Sequence, residues 1–381
     1  MSDQVRSLDD AQAWLREHLA VRRHPFNEID AEAAAETIDA LEGIDPENWV
    51  DAWLGRSERF ASQARAARSA EEERGLWWQA YQFAFLGRYP SPLHPRKRDS
   101  YAKAQEYFLR ATALDEVPVE RVEVPFAGRR GEGDSVVFYV SRPPGAHSPP
   151  AVMMWGGIDM WKEESWVRGA LLRSKGFATI HIDMPGIGES PLLAGVDAER
   201  MWNPIFDWIG ASDLDEKRIA ALGQSFGGYW AMKLAITHRE RVAVAVNWAG
   251  GVHETFQPSW QERSRNASSY LMDLMPTRAS IFGGKTFEDY IARCPELSLL
   301  DQGLLDQPSA PLLLVNGIDD QQNSIQDIWL SLQHGDPKTA RIFPGGHMGV
   351  GPVMPTVVAW LVERLQPRLE VIEDVDTRSG E

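Results

Sequence analysis

The sequence predicts an α/β protein: a mostly parallel central sheet with helices on both faces, preceded by an all-helical N-terminal domain. Three observations carry this. Residues 1 to about 117 show only helical periodicity, whereas from 118 to 367 short β-rich apolar runs alternate with helical stretches. One of those runs leads through Gly223-Gln224-Ser225-Phe226-Gly227 directly into a helical segment. At 381 residues, with 43% hydrophobic and 25% charged side chains, the chain can support two units with a sizeable core.

The helical region opens with Ser7 and Asp10 in capping-box spacing, followed by Leu8, Ala11, Leu15 and Leu19 on one face. Further helices are expected at 29–42, 46–68, 70–88 and 98–114. In the last, Tyr101, Ala104, Phe108 and Ala111 recur three or four residues apart, the spacing of a buried stripe. The helix before it holds Trp77, Trp78, Tyr81, Phe83 and Phe85, too apolar a set to keep a face in water. Pro90, Pro92 and Pro95 separate the two. No second copy of this hairpin occurs, which excludes a repeat array.

Runs 122–126 and 135–140 read as a hairpin around the turn 128–133. Strands are then expected at 151–155, 178–183, 218–222, 242–248, 311–315 and 339–343. The intervening helices fall near 164–175, 196–211, 227–238, 324–334 and 354–365. Uninterrupted apolar strands joined through helices indicate parallel pairing with both faces covered. The stretch 252–307 is too long for a simple connection and reads as a partly helical insertion over the strand ends. Residues 368–381 form an acidic tail expected to lack fixed structure.

Composition excludes several function classes. A net charge of -16, with acids concentrated in 28–47 and 370–381, disfavours nucleic acid and anionic membrane surfaces as partners. Cys294 is the single cysteine, so neither an intramolecular disulfide nor a multi-thiolate metal site is available. No apolar run has the length of a signal peptide or of a membrane span, which takes roughly 18 residues, so the expected location is cytoplasmic. Gly186 and Gly188 lack the third glycine of a dinucleotide fingerprint, and no metal-ligand spacing occurs. No cofactor is expected.

The chemistry-bearing signal is Ser225. A strand–turn–helix around G-x-S-x-G exposes a serine in a strained turn, with the helix N–H groups aimed at a developing anion. A structural glycine turn is the bland alternative. A serine hydroxyl needs a base, and on this fold plan the partners follow in the order serine, acid, histidine. His347, in the glycine-rich run 345–349, satisfies that order at a strand end; His253 is a rival that precedes both candidate acids. Asp320 is favoured over Asp319, because it lies three residues after Gly317. The oxyanion donors are expected from the N–H of Phe226 and from the loop after 151–155, at Gly157 and Ile158.

The segments GGIDMWKEES (156–165), HIDMPGIGES (181–190), GQSFGGYWAMKLA (223–235), NGIDD (316–320) and GGH (345–347) resemble one branch of the α/β-hydrolase fold. That branch holds the fermentation–respiration switch proteins, 2,6-dihydroxypseudooxynicotine hydrolase and fungal pigment hydrolases that shorten polyketide chains. The helical stretch around WWQAYQFAFLGRYP is similar to its N-terminal domain. The resemblance implies an α/β-hydrolase whose helical domain acts as a lid. It also implies cleavage of a carbon–carbon bond beside a ketone, or of a carboxylic ester, in an aromatic or polyketide-like small molecule. A homodimer is expected on the same ground. Trp155, Trp161, Tyr229, Trp248 and Trp260 lie near strand ends as candidate pocket residues, with core burial as the plain alternative. Glu163, or Lys162 beside it, is a candidate to assist the leaving group, with a surface salt pair as the alternative. A non-hydrolytic acyltransferase, lyase or cyclase, or a non-catalytic regulatory binding protein, are the competing functional classes.

Overall fold

The computed structural model describes residues 6–265 and 270–366; the acidic tail 368–381 lies outside the described residues. Among the described residues five helices come first: α1 (Leu8–Ala20), α2 (Ala31–Asp39), α3 (Pro46–Arg65), α4 (Ala70–Arg88) and α5 (Pro95–Thr112). Their starts are written in the sequence. Ser7, Asp30, Asp45 and Ser69 each accept a backbone N–H of the following turn, satisfying donors that the helix itself leaves open. Pro95 occupies the first turn of α5, where its missing N–H costs nothing, so this helix begins before the expected 98.

Eight strands follow among the described residues: β1 (Glu120–Pro125), β2 (Ser135–Ser141), β3 (Pro150–Trp155), β4 (Ala178–Ile182), β5 (Asp215–Gln224), β6 (Val244–Trp248), β7 (Leu312–Gly317) and β8 (Thr339–Phe343). They form one sheet in the order β1-β2-β4-β3-β5-β6-β7-β8. The β1–β2 and β2–β4 pairs are antiparallel, and every later pair is parallel. Strands β3, β4, β6 and β7 are buried along their whole length, which is why they read as unbroken apolar runs. The edge strand β8 alternates exposed and half-buried residues instead.

Helices α6 (Ser165–Arg173), α7 (Asn203–Ala211) and α8 (Phe226–Thr237) connect the strands. The insertion 252–307 is partly helical, with α9 (Pro258–Arg263), α10 (Leu274–Ser280) and α11 (Phe287–Arg293). Then α12 (Gln326–Leu332) joins β7 to β8, and α13 (Val353–Leu365) follows the last strand. The expected helix at 196–211 is a 3-10 turn (Ala198–Trp202) running into α7, with Pro204 in that helix's first turn. One sheet face packs Val152, Leu222 and Val246 against Val357 and Leu361 of α13. The other face shares a continuous core with α4 and α5. There Phe108 stacks on Tyr139 of β2 with centroids 5.3 Å apart and meets Trp166 of α6 edge-on at 6.0 Å. The helical region is therefore wedged against the antiparallel end of the sheet. Among the described residues no helix is long and apolar enough to cross a membrane.

The root of the insertion is fixed by Asp327, 1% exposed, whose carboxylate accepts the N–H groups of Val252, His253, Glu254 and Thr255 at 2.7–3.1 Å. Removing that acceptor strands four donors. Asp327→Ala is therefore expected to lower stability by about 4 kcal/mol in urea unfolding. A loss below about 1 kcal/mol would contradict this anchoring role.

Candidate active site

Strand β5 turns into α8 through Ser225, which adopts φ 55 and ψ -132, a conformation that an L-residue rarely takes. Two glycines permit it. A Cβ at Gly223 would lie 2.0 Å from the Gly227 carbonyl oxygen, and one at Gly227 would lie 2.2 Å from that of Gly156. The Ser225 N–H donates to Trp248 O at 2.8 Å, tying the turn to the end of β6.

Three loops at the C-terminal ends of β5, β7 and β8 bring a hydroxyl, a carboxylate and an imidazole into line. His347 Nε2 lies 2.8 Å from Ser225 Oγ, and His347 Nδ1 lies 2.8 Å from Asp320 Oδ2. With Nδ1–H donating to the carboxylate, Nε2 is left as the acceptor for the serine proton. Asp320 is buried and further accepts from Asn316 Nδ2 at 2.8 Å and from the N–H groups of Gln322 and Asn323 at 2.8 and 3.1 Å. Burial alone would raise its pKa. The facing His347 and the hydrogen bonds from His347, Asn316 and Gln322 outweigh that and hold it below the usual carboxylate range. The contribution to stability is thus present at neutral pH and disappears as acid protonates the carboxylate. Asp319 is exposed, with its N–H donating to Gly345 O at 2.9 Å, so the geometry separates the two candidate acids. His253 bonds to Ser298 Oγ at 2.7 Å instead and has no part in the array.

The oxyanion candidates come together at the same point. A Cβ on Gly157 would sit 2.7 Å from Ser225 Cβ, 2.9 Å from its Oγ and 3.3 Å from Phe226 N. Phe226 opens α8, so its N–H has no partner within the helix and is available to an anion. Ile158, next in the loop, is buried.

The aromatic pocket candidates divide. Trp155 is 1% exposed, donates to Gly227 O at 2.8 Å and packs on Trp202 at 4.9 Å, so it supports the serine turn from below. Trp248 donates to Met348 O at 2.8 Å and holds the histidine loop. Trp260 in the same manner reaches Gln322 O at 2.8 Å, beside Asp320. Tyr229 is fully buried among Phe226, Trp230 and Phe256, with its hydroxyl 3.4 Å from Gln302. These contacts give all four a packing or loop-holding role, the plain alternative to pocket lining. For the three tryptophans, the indole N–H reaches a carbonyl that fixes a neighbouring loop. Trp161 instead borders a cleft, of about 690 Å³, between residues 91–93 and the loop 186–195.

Glu163 and Lys162 form no surface pair: both are fully buried. Lys162 Nζ lies 2.8 Å from Asp183 Oδ2 and from Glu189 Oε2, while Glu163 is bound by the hydroxyls of Tyr101 and Tyr139 at 3.2 Å. A leaving-group role for Glu163 therefore gives way to one that joins the helical region to the sheet. Asn316 is a site residue that the sequence reading passes over, although its place four residues before Asp320 at a strand end is a usable signal.

Comparisons with known proteins agree with this architecture. The family model described as FrsA-like, esterase FrsA-like, matches residues 23–328. The chain is 26% identical over 228 residues to 2,6-dihydropseudooxynicotine hydrolase of Paenarthrobacter nicotinovorans, covering 58% of this chain and 60% of that protein. Against esterase FrsA of Photobacterium profundum the identity is 24% over 347 residues, covering 87% and 80%. The match to the first thus spans less than two thirds of its length. The crystal structure of 2,6-dihydroxy-pseudo-oxynicotine hydrolase superposes with a TM-score of 0.71 at 22% identity, over 93% of this chain and 96% of that one, a likeness of fold.

Gly157→Ala tests the close approach directly. The added methyl is expected to push the loop off Ser225 and lower kcat/KM at least about 100-fold on any substrate turned over, with melting temperature nearly unchanged. Wild-type kcat/KM in a folded variant would contradict the assignment.

Proposed function

The chain belongs to the FrsA-like esterase family, and within it we propose that it is a serine-dependent hydrolase of ketones or carboxylic esters, acting on an aromatic or polyketide-like small molecule. One observation carries this reading: the unbroken run of hydrogen bonds from Asp320 through His347 to Ser225, each 2.8 Å long, beside the first backbone N–H of α8.

Ser225 Oγ adds to the substrate carbonyl as His347 Nε2 takes its proton. Asp320 keeps the imidazole in the acceptor tautomer and stabilises the imidazolium. The tetrahedral oxyanion rests on the N–H of Phe226 and on the loop at Gly157 and Ile158. Collapse breaks the bond to the leaving group, whose electron pair takes the proton back from His347. An ester releases an alcohol. A ketone releases a carbanion, so its leaving carbon must either bear a second carbonyl or be a ring carbon ortho or para to a hydroxyl, whose keto tautomer takes the electron pair as an enolate. Water, deprotonated by His347, then cleaves the acyl-serine and regenerates the hydroxyl. The relative named for hydrolysing 2,6-dihydropseudooxynicotine and the one named as an esterase support the two arms of this reading.

A screen of aryl β-diketones and aryl esters against wild type, Ser225→Ala, Asp320→Asn and Asp319→Asn tests it. Turnover is expected to vanish in Ser225→Ala, to fall about 10⁴-fold in Asp320→Asn and to stay within about twofold in Asp319→Asn. In heavy-oxygen water the released acid is expected to carry the label; an unlabelled product would point to a transferase, lyase or cyclase. Equal turnover by Ser225→Ala would remove the serine from the mechanism.

A further inference from the structure

The loop that presents Gly157 to Ser225 has neither helix nor strand between Gly156 and Glu164, so its position depends on what grips it. Much of that grip comes from the helical region. Arg88, at the end of α4 and fully buried, donates to Asp159 O at 3.0 Å, lies 3.5 Å from Glu164 Oε2 and sits 4.5 Å above the ring of Trp161. Its other terminal nitrogen donates to Pro90 O at 2.6 Å, which fixes the guanidinium plane. His24, between α1 and α2, fits between Asp159 Oδ2 at 3.2 Å and Glu164 Oε1 at 3.4 Å. Glu164 in turn accepts the Trp161 N–H at 3.0 Å. Tyr101 of α5 lies 3.2 Å from both Glu163 oxygens and meets Trp161 edge-on at 4.3 Å.

We propose that His24, Arg88 and Tyr101 form a clasp that positions the oxyanion loop, making the helical region a working part of the site and not a cover alone. The proposal rests on the serine-hydrolase reading above. These three are positioning residues: they touch the far end of the loop, at 159–164, while Gly157 at the near end leaves no slack against Ser225. Loosening the far end lets the near end drift, and an error of about 1 Å in a donor is enough to cost on the order of 100-fold in rate.

The clasp also has a charge dependence. The groups around His24 are Asp159 and Glu164 from the loop, Arg88 and Tyr89 from the end of α4, and His18 from α1. Burial works against its charge, but Glu164 and Asp159 outweigh that and raise its pKa to about 9. A raised histidine stabilises fully below the ordinary histidine range, and its contribution is lost as pH climbs through about 9.

The test is the second-order rate at which a fluorophosphonate modifies Ser225 in the full chain, with melting temperature measured alongside. Phosphonylation draws on the same oxyanion donors as acyl transfer. Arg88→Met is expected to react on the order of 100-fold more slowly, and Arg88→Lys, which keeps the charge without the fork, to fall between it and wild type. His24→Gln is expected to be about tenfold slower at pH 7 and to lack a decline of the wild-type rate near pH 9. If Arg88→Met does not fold, Arg88→Lys and His24→Gln decide. Wild-type rates and pH profiles in folded Arg88→Lys and His24→Gln would overturn the clasp alone. A wild type that does not react at all would overturn the serine reading and the clasp with it.

Discussion

A serine held at positive φ between β5 and α8 sets the terms for everything nearby. Such a turn is strained, and it persists only because neighbours on every side fix it. Beneath it, Gly223 and Gly227 allow backbone contacts that any side chain would block, and the Trp155 indole closes the gap by binding Gly227 O. Beside it, the Ser225 N–H joins Trp248 at the end of β6, and Trp248 in turn grips the histidine loop through Met348 O. One residue therefore couples the Ser225 turn to the His347 loop. The register of the parallel strands does the remainder, placing Trp155, Gly223 and Asn247 at one level so that their loops open on one edge.

Electrostatics follow from that placement. His347 Nδ1 faces a carboxylate that three further donors also hold, which fixes the ring with Nε2 directed at Ser225 Oγ. On the opposite side, the closest neighbours of the Gly157 position are Ser225 and the Phe226 N–H, with no acidic side chain among them. Two acids of the loop, Asp159 and Glu164, are turned toward His24 and Arg88, while the third, Glu163, is paired with Lys162 at 3.2 Å. The loop proposed to host a transient anion thus carries its own negative charges on its other end, where His24 and Arg88 of the helical region and Lys162 of the loop itself face them.

Much of this is legible in the chain. All eight strands can be read, because β3, β4, β6 and β7 are buried on both faces and leave apolar runs, while the hairpin at β1–β2 is marked by its glycine turn. Ser225, Asp320 and His347 emerge from chain order and strand ends. The tryptophans are not legible: an indole near a strand end looks the same whether it lines a pocket or donates to a carbonyl across the fold. Lys162 and Glu163 mislead for a related reason. Adjacent opposite charges resemble an exposed pair, and contacts with residues distant in the chain, such as Tyr101, 62 residues from Glu163, show that they are interior. Local spacing reports periodicity and order; it does not report which distant surface arrives to bury a residue.

The central claim is that Ser225 becomes covalently acylated, activated through His347. Intact-protein mass spectrometry of the full chain, acid-quenched within milliseconds of mixing with an activated aryl ester, measures this most directly. A mass gain equal to the acyl group, mapped to the peptide containing Ser225 and absent from His347→Ala, is the predicted result. Turnover of the ester with no adduct on Ser225, or an adduct on another residue that forms equally fast in Ser225→Ala, would contradict it.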